Sequence, residues 1–241
     1  MVNELIAYCG PAAVPEDVWL RWNTDPVLIA ALAALAYGVA RRATHKNAGW
    51  AAIALMAVVF ISPLCALSSA LFSVRVLHHV ILVSAAAPLL ALAFPQRRAG
   101  VVPLALLVAA HAVALWVWHA PGPYAWGLAT VPGYWLMQLT LLGSAWWMWR
   151  AILANTTPNG SALVALAVTV GQMGLLGALI VFASVPLYPV HFASTLEWGF
   201  TPLSDQQLAG LLMWVPAMLP YLATGLWLAW TSLRPNTEVA L

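Results

Sequence analysis

Hydrophobic and polar positions along this chain sort into long runs. Three stretches, Ala48–Val74, Ala99–Trp149 and Ala151–Leu196, contain no Asp, Glu, Lys or Arg. The hydrocarbon core of a bilayer, about 30 Å thick, is crossed by about 20 apolar helical residues, so these stretches hold several crossings. Turn signals divide them at Arg41-Arg42, Pro95-Gln96, Pro121-Gly122-Pro123, Pro158-Asn159-Gly160 and the segment Pro186–Ser204. Between the cuts lie apolar runs at Pro26–Ala40, Ala48–Leu67, Leu71–Phe94, Val101–His119, Val131–Ile152, Ser161–Ser184 and Asp205–Trp230. The pattern predicts an all-α polytopic membrane protein, a bundle of seven transmembrane helices. It assigns residues 1–25 to an N-terminal segment, 26–232 to the helical domain and 233–241 to a tail.

Composition agrees. Of 241 residues, 63% are hydrophobic and 7% charged, against about 25% charged in a soluble domain. The formal net charge of +2 excludes a nucleic-acid partner held by a basic face. Lys and Arg set the orientation, because cytoplasmic loops are enriched in them. Arg41, Arg42, Lys46, Arg97, Arg98, Arg150 and Arg234 fall on one side of the predicted bundle, and only Arg21 and Arg75 on the other. The expectation is an N-terminus outside and a C-terminus in the cytoplasm. Glu4, Glu16, Asp17, Asp25, Glu197 and Asp205 then lie on the outer side. The first 25 residues lack the basic start and apolar core of a cleavable signal peptide.

Ionisable groups within hydrocarbon are costly and mark candidate sites. The third run carries Arg75, His78 and His79, and the fourth carries His111 and ends at His119. At the helical rise, His79 falls roughly 12 Å below the outer end of its run. His111 falls roughly 12 Å below His119, and Met213 roughly 12 Å below Asp205. Imidazole suits copper, and thioether selects Cu(I). Each residue also has a structural reading. Arg75 could reach the interface by snorkelling or pair with Glu197 or Asp205. His111 could bond a backbone carbonyl, His119 could belong to an interfacial belt with Trp116 and Trp118, and Met213 could be packing. His191, in a loop, is the least constrained. Ser204-Asp205-Gln206-Gln207 fits a capping box opening the last helix. Cys9 and Cys65 are too few for a disulfide framework; Cys65 reads as a thiol ligand or a buried inert thiol. No P-loop, Rossmann glycine run or paired intramembrane carboxylates occur, so nothing suggests an enzyme.

Three segments together resemble the CtaG family of multi-span cytochrome c oxidase assembly factors. They are RVLHHVILVSAAAPLLAL (Arg75–Leu92), HAVALWVWHAPGPY (His111–Tyr124) and DQQLAGLLMWVPAMLPY (Asp205–Tyr221), with Leu187-Tyr188-Pro189 ahead of the last. The family pattern on the third run, approximately H-M-x-x-H before a segment ending P-L-L, is met by His79 and Pro88-Leu89-Leu90. Arg75 and Val76 stand where the first histidine and the methionine would be. His111, Trp118, His119 and Pro121 match on the fourth run, and Asp205, Gln206, Gln207, Gly210 and Trp214 on the last.

The resemblance implies a protein of the bacterial inner membrane that helps mature a haem-copper oxidase, without a reaction of its own. Its partners would be oxidase subunits, a periplasmic copper donor and the lipid bilayer. On this reading Cu(I) is handled by His79 and His111 facing each other, with Met213 and with His78 partly replacing the missing histidine. His119 and Asp205 form the outer approach, and Arg75 is structural or gating. Two alternatives remain: a metal-free scaffold for oxidase subunits, and a haem-binding protein using His79 and His111 as axial ligands.

Overall fold

The computed structural model describes residues 8–233, so Glu4 and residues 234–241 of the predicted tail, Arg234 among them, lie outside the described residues. Every apolar run is helical, and no strand occurs among the described residues. In order the helices are α1 (Pro26–Arg42), α2 (Lys46–Ile61), α3 (Leu64–Ala70), α4 (Phe72–Val80), a π-helical segment (Ile81–Ala86), α5 (Ala87–Ala93), α6 (Leu104–His119) and α7 (Pro121–Ala129). There follow α8 (Val131–Ile152), α9 (Asn159–Phe182), α10 (Ser194–Glu197), α11 (Pro202–Trp214) and α12 (Leu219–Leu233). Among the described residues three helical stretches, Phe72–Ala93, Asn159–Phe182 and Pro202–Leu233, are long and apolar enough to cross a membrane. Counting each of two bent pairs as one span raises this to five: α2 with α3, bent by 50°, and α6 with α7, bent by 78°.

Prolines make the breaks. The residue before a proline is pushed out of the helical region, and Ser62 before Pro63 and Ala120 before Pro121 are both extended. Pro121 then opens α7, where its missing N–H costs nothing. Pro88 acts differently, because it is the second residue after the π-helical segment. With i→i+5 bonding, the Val83 carbonyl would need the N–H of residue 88, which proline lacks. The indole Nε1 of Trp149 on α8 donates to that carbonyl instead, at 3.1 Å. A neighbouring helix thus satisfies the freed group, as the interior of a bilayer requires.

The two ends of the bundle differ chemically. At one end the Thr44 amide donates to Ala93 O at 2.8 Å and Arg97 to the Thr44 hydroxyl at 3.2 Å; this end is basic. At the other, Cys9 and Cys65 form a disulfide across a sequence separation of 56, which corrects the reading of Cys65 as a thiol. The signal was absent because a pair so far apart in sequence declares nothing about its distance in space. The predicted capping box also shifts. Helix α11 begins at Pro202, capped by Thr201 in a reciprocal box with Ser204, so Asp205 lies inside the first turn rather than beside the cap.

Candidate functional site

The site lies toward the disulfide end, where α4, α6, α8 and α11 meet. Helices α4 and α11 run parallel, because Asp205 in the first turn of α11 reaches the first residues of α4. Its carboxylate accepts from the Phe72 amide at 2.7 Å, the Ser73 amide at 3.2 Å and the Ser73 hydroxyl. A carboxylate at a helix N-terminus satisfies orphan amides and meets the positive end of the helix dipole. Asp205, 1% exposed, is therefore a cap supplied by another helix.

Arg75 lies one turn further along α4 and is 0% exposed. Its Nε donates to Ser68 O at 3.2 Å, and its guanidinium stands 5.2 Å from the centre of the Tyr134 ring. Nη1 and Nη2 meet no acceptor in good geometry. This corrects both sequence expectations. Arg75 does not snorkel, because α3 and Tyr134 enclose it. It does not pair with Asp205 or Glu197, because Asp205 is spent on the α4 amides; the only ion pair among the described residues is Arg21–Asp17.

Beyond Arg75, two imidazoles meet. The rings of His79 on α4 and His119 on α6 are 5.7 Å apart, centre to centre, at 82°. The His119 Nδ1–H donates to Leu115 O at 2.7 Å. A carbonyl can only accept, so this bond fixes the tautomer and leaves the lone pair on Nε2, which has no partner. His79 Nε2 faces the Gln138 amide nitrogen of α8 at 3.4 Å, while its Nδ1 is unpartnered. His78 turns toward Phe60, its ring edge-on at 5.0 Å, with neither nitrogen bonded. Buried polar atoms are rarely left unpaired, because each costs about 1–3 kcal/mol. Here His78, His79, His111, His119 and Gln138 each keep at least one, alongside others elsewhere in the bundle.

The expected opposition of His79 and His111 is not the pairing made. His111 bonds the Ser144 hydroxyl of α8 at 3.0 Å, two helical turns from His119 on the same helix. His119 is no surface residue; it is 3% exposed. Helix α7 leaves α6 at 78° just beyond it. Met213 is 2% exposed and lies on α11, eight residues after Asp205. Among the described residues no group of three or more His, Cys, Asp and Glu is placed to hold a metal ion.

The residue that sequence reading undervalued is His191. Its Nδ1–H donates to Ala70 O at 3.2 Å and its Nε2 accepts from the Tyr124 hydroxyl at 2.7 Å. Burial, then the nearby Arg75 charge, pushes its pKa down to about 4. The Tyr188 hydroxyl donates to the His119 carbonyl at 2.7 Å, and Phe72 stacks on Tyr188. This loop therefore roofs the paired histidines. Its only sequence signal was Leu187-Tyr188-Pro189.

A family model described as cytochrome c oxidase caa3 assembly factor matches residues 98–235, more than half of the chain. The match includes His111, His119, Gln138, His191, Asp205 and Met213, and stops short of Arg75, His78 and His79. No curated protein and no solved structure matches the chain.

Proposed function

The chain belongs to the cytochrome c oxidase caa3 assembly factor family, and from that premise we propose that its cargo is Cu(I), held in transit by His79 and His119. One observation carries this reading: two buried imidazoles stand 5.7 Å apart, with the lone-pair Nε2 of His119 unpartnered, and turning the Gln138 amide so that Oε1 accepts from His79 Nε2–H frees the His79 Nδ1 lone pair as well. The His119 Nδ1 bond to a carbonyl is the arrangement that orients a ligating histidine and makes its other nitrogen a better donor. Imidazole is a copper ligand, and two donors rather than a closed cage suit an ion that must leave again. The Met213 thioether, buried on α11 two turns beyond Asp205, is the third donor we assign. His111 also keeps Nε2 without a partner, but it lies two helical turns from His119 along α6, and we leave it outside the ligand set.

On this reading the protein handles metal without catalysing a reaction, and it lies in the inner membrane of a bacterium. All seven apolar runs would cross the membrane, with the disulfide end outside. The Cys9–Cys65 bond supports that orientation, since disulfides persist in oxidising compartments. The partner is the oxidase, and copper reaches the site from a donor on the outer side.

The test is copper loading of the purified protein under anaerobic conditions, with oxidase activity measured in host membranes. His79→Ala and His119→Ala should each lose copper retention about tenfold or more and lower oxidase activity at unchanged protein level. His111→Ala should keep copper. Retention at wild-type levels in both site variants would overturn the assignment, and a haem absorption band would replace it.

A further inference from the structure

At the basic end, three clefts converge on one side chain. The first, of about 750 Å³, is bordered by Thr44, His45, Gln96, Arg97, Arg150 and Trp227 among others. A second, of about 520 Å³, presents Arg97, Arg98 and Arg150. The third, of about 500 Å³, is an apolar groove between Leu35, Met56, Leu90, Phe94 and Leu142, and Arg150 is its only charged member. Arg150 stands 4.9 Å over the Trp146 ring, and its buried Nε has no partner. The described acids, Glu16, Asp17, Asp25, Glu197 and Asp205, all lie on elements of the opposite end. Among the described residues no carboxylate approaches Arg41, Arg42, Lys46, Arg97, Arg98 or Arg150 within ion-pair distance.

We propose that this end binds one anionic phospholipid, its phosphodiester between Arg97 and Arg150 and an acyl chain in the groove lined by Leu35, Met56, Leu90 and Leu142. A guanidinium pairs with phosphate oxygens through parallel N–H bonds, and the two guanidiniums, without carboxylates, keep most of that capacity, Arg97 spending one N–H on Thr44. Free phosphate would satisfy the charge but leave the adjoining groove unfilled. A lipid fills both, and basic pockets between membrane helices hold anionic headgroups in this way. The inference does not depend on the copper reading.

The test uses delipidated protein in neutral detergent, with thermal unfolding followed on adding phosphatidylglycerol, phosphatidylcholine or inorganic phosphate. Phosphatidylglycerol at a hundredfold excess over its Kd should raise Tm by roughly 5–10 °C. Phosphatidylcholine and inorganic phosphate should give little. Arg97→Gln and Arg150→Gln should remove the shift, while Arg42→Gln, which borders none of the three clefts, should keep it. Gly143 guards against a variant that simply fails to fold. It lines the apolar groove, and a Cβ built there meets nothing within 4 Å. Gly143→Trp should therefore fold, fill the groove and lose phosphatidylglycerol in native mass spectrometry with every charge intact. Equal shifts from phosphatidylcholine or phosphate, or lipid retained by Gly143→Trp and by the arginine variants, would overturn the proposal.

Discussion

Asp205 is a buried carboxylate whose partners are main-chain amides rather than a cation. Asp205→Ala would strand the amides of Phe72 and Ser73 inside the bundle, so thermal unfolding in detergent should show a loss of at least about 2 kcal/mol. Asp205→Asn keeps one acceptor oxygen and should lose less. Sequence reading placed Asp205 and Arg75 on the right helices at the right end, but charge signs alone suggested that they pair. Nothing in a sequence says that a helix N-terminus will outbid a guanidinium. His191 carries a pH dependence with a definite sign. Its folded pKa is about 4, below the ordinary value near 6.5. Between those values the unfolded chain binds a proton that the folded chain does not. Stability is therefore complete above pH about 6.5 and falls as pH drops toward 4, by up to ~1.4 kcal/mol per unit for this one group. His191→Gln should flatten that slope by one proton in melts run from pH 7.5 to 5; an unchanged slope would mean that His191 is not held neutral.

Among the elements, the helices were legible because each apolar run is long and its limits are charged or rich in proline. The breaks inside them were not. Pro121-Gly122-Pro123 reads as a loop, yet Pro121 is the first residue of α7, which leaves α6 at 78°, and His119 at that bend is buried beside His79. Close approach of helices was equally silent. At Gly210 a Cβ would stand 2.7 Å from Gly177 O and 2.9 Å from the Val181 amide nitrogen. Both are backbone atoms of α9 and cannot swing aside, and small residues at such crossings let helices pack on their main chains. Gly210→Ala should therefore cost about 1–3 kcal/mol by thermal unfolding, whereas Gly171→Ala, with nothing within 4 Å, should be neutral or stabilising. The Cys9–Cys65 bond ties the N-terminal segment to α3 across a separation of 56 residues. Chain entropy alone assigns such a loop about 4 kcal/mol, an upper figure where membrane insertion already confines the reduced chain. Reduction should lower Tm without unfolding the bundle.

On the scale of the whole molecule, the two ends carry different chemistry, and that difference ties the sites to a topology. Arg41, Arg42, Lys46, Arg97, Arg98 and Arg150 cluster at one end, where the positive-inside tendency places the cytoplasm. The disulfide and the paired histidines lie toward the other. If copper arrives from outside, its site must open to the disulfide end, so the orientation is a condition of the function. It can be tested directly because Cys9 and Cys65 are bonded to each other and no free cysteine occurs among the described residues. A single introduced thiol then reports alone. Gly122 is exposed, with nothing within 4 Å of a Cβ built there, and Asn47 is exposed beside the basic cluster. Gly122→Cys should react with a membrane-impermeant maleimide on intact spheroplasts. Asn47→Cys should react only after permeabilisation. The reverse pattern would put the disulfide in the cytoplasm and the histidine pair out of reach of an external donor, and the topology and the copper route would fall together.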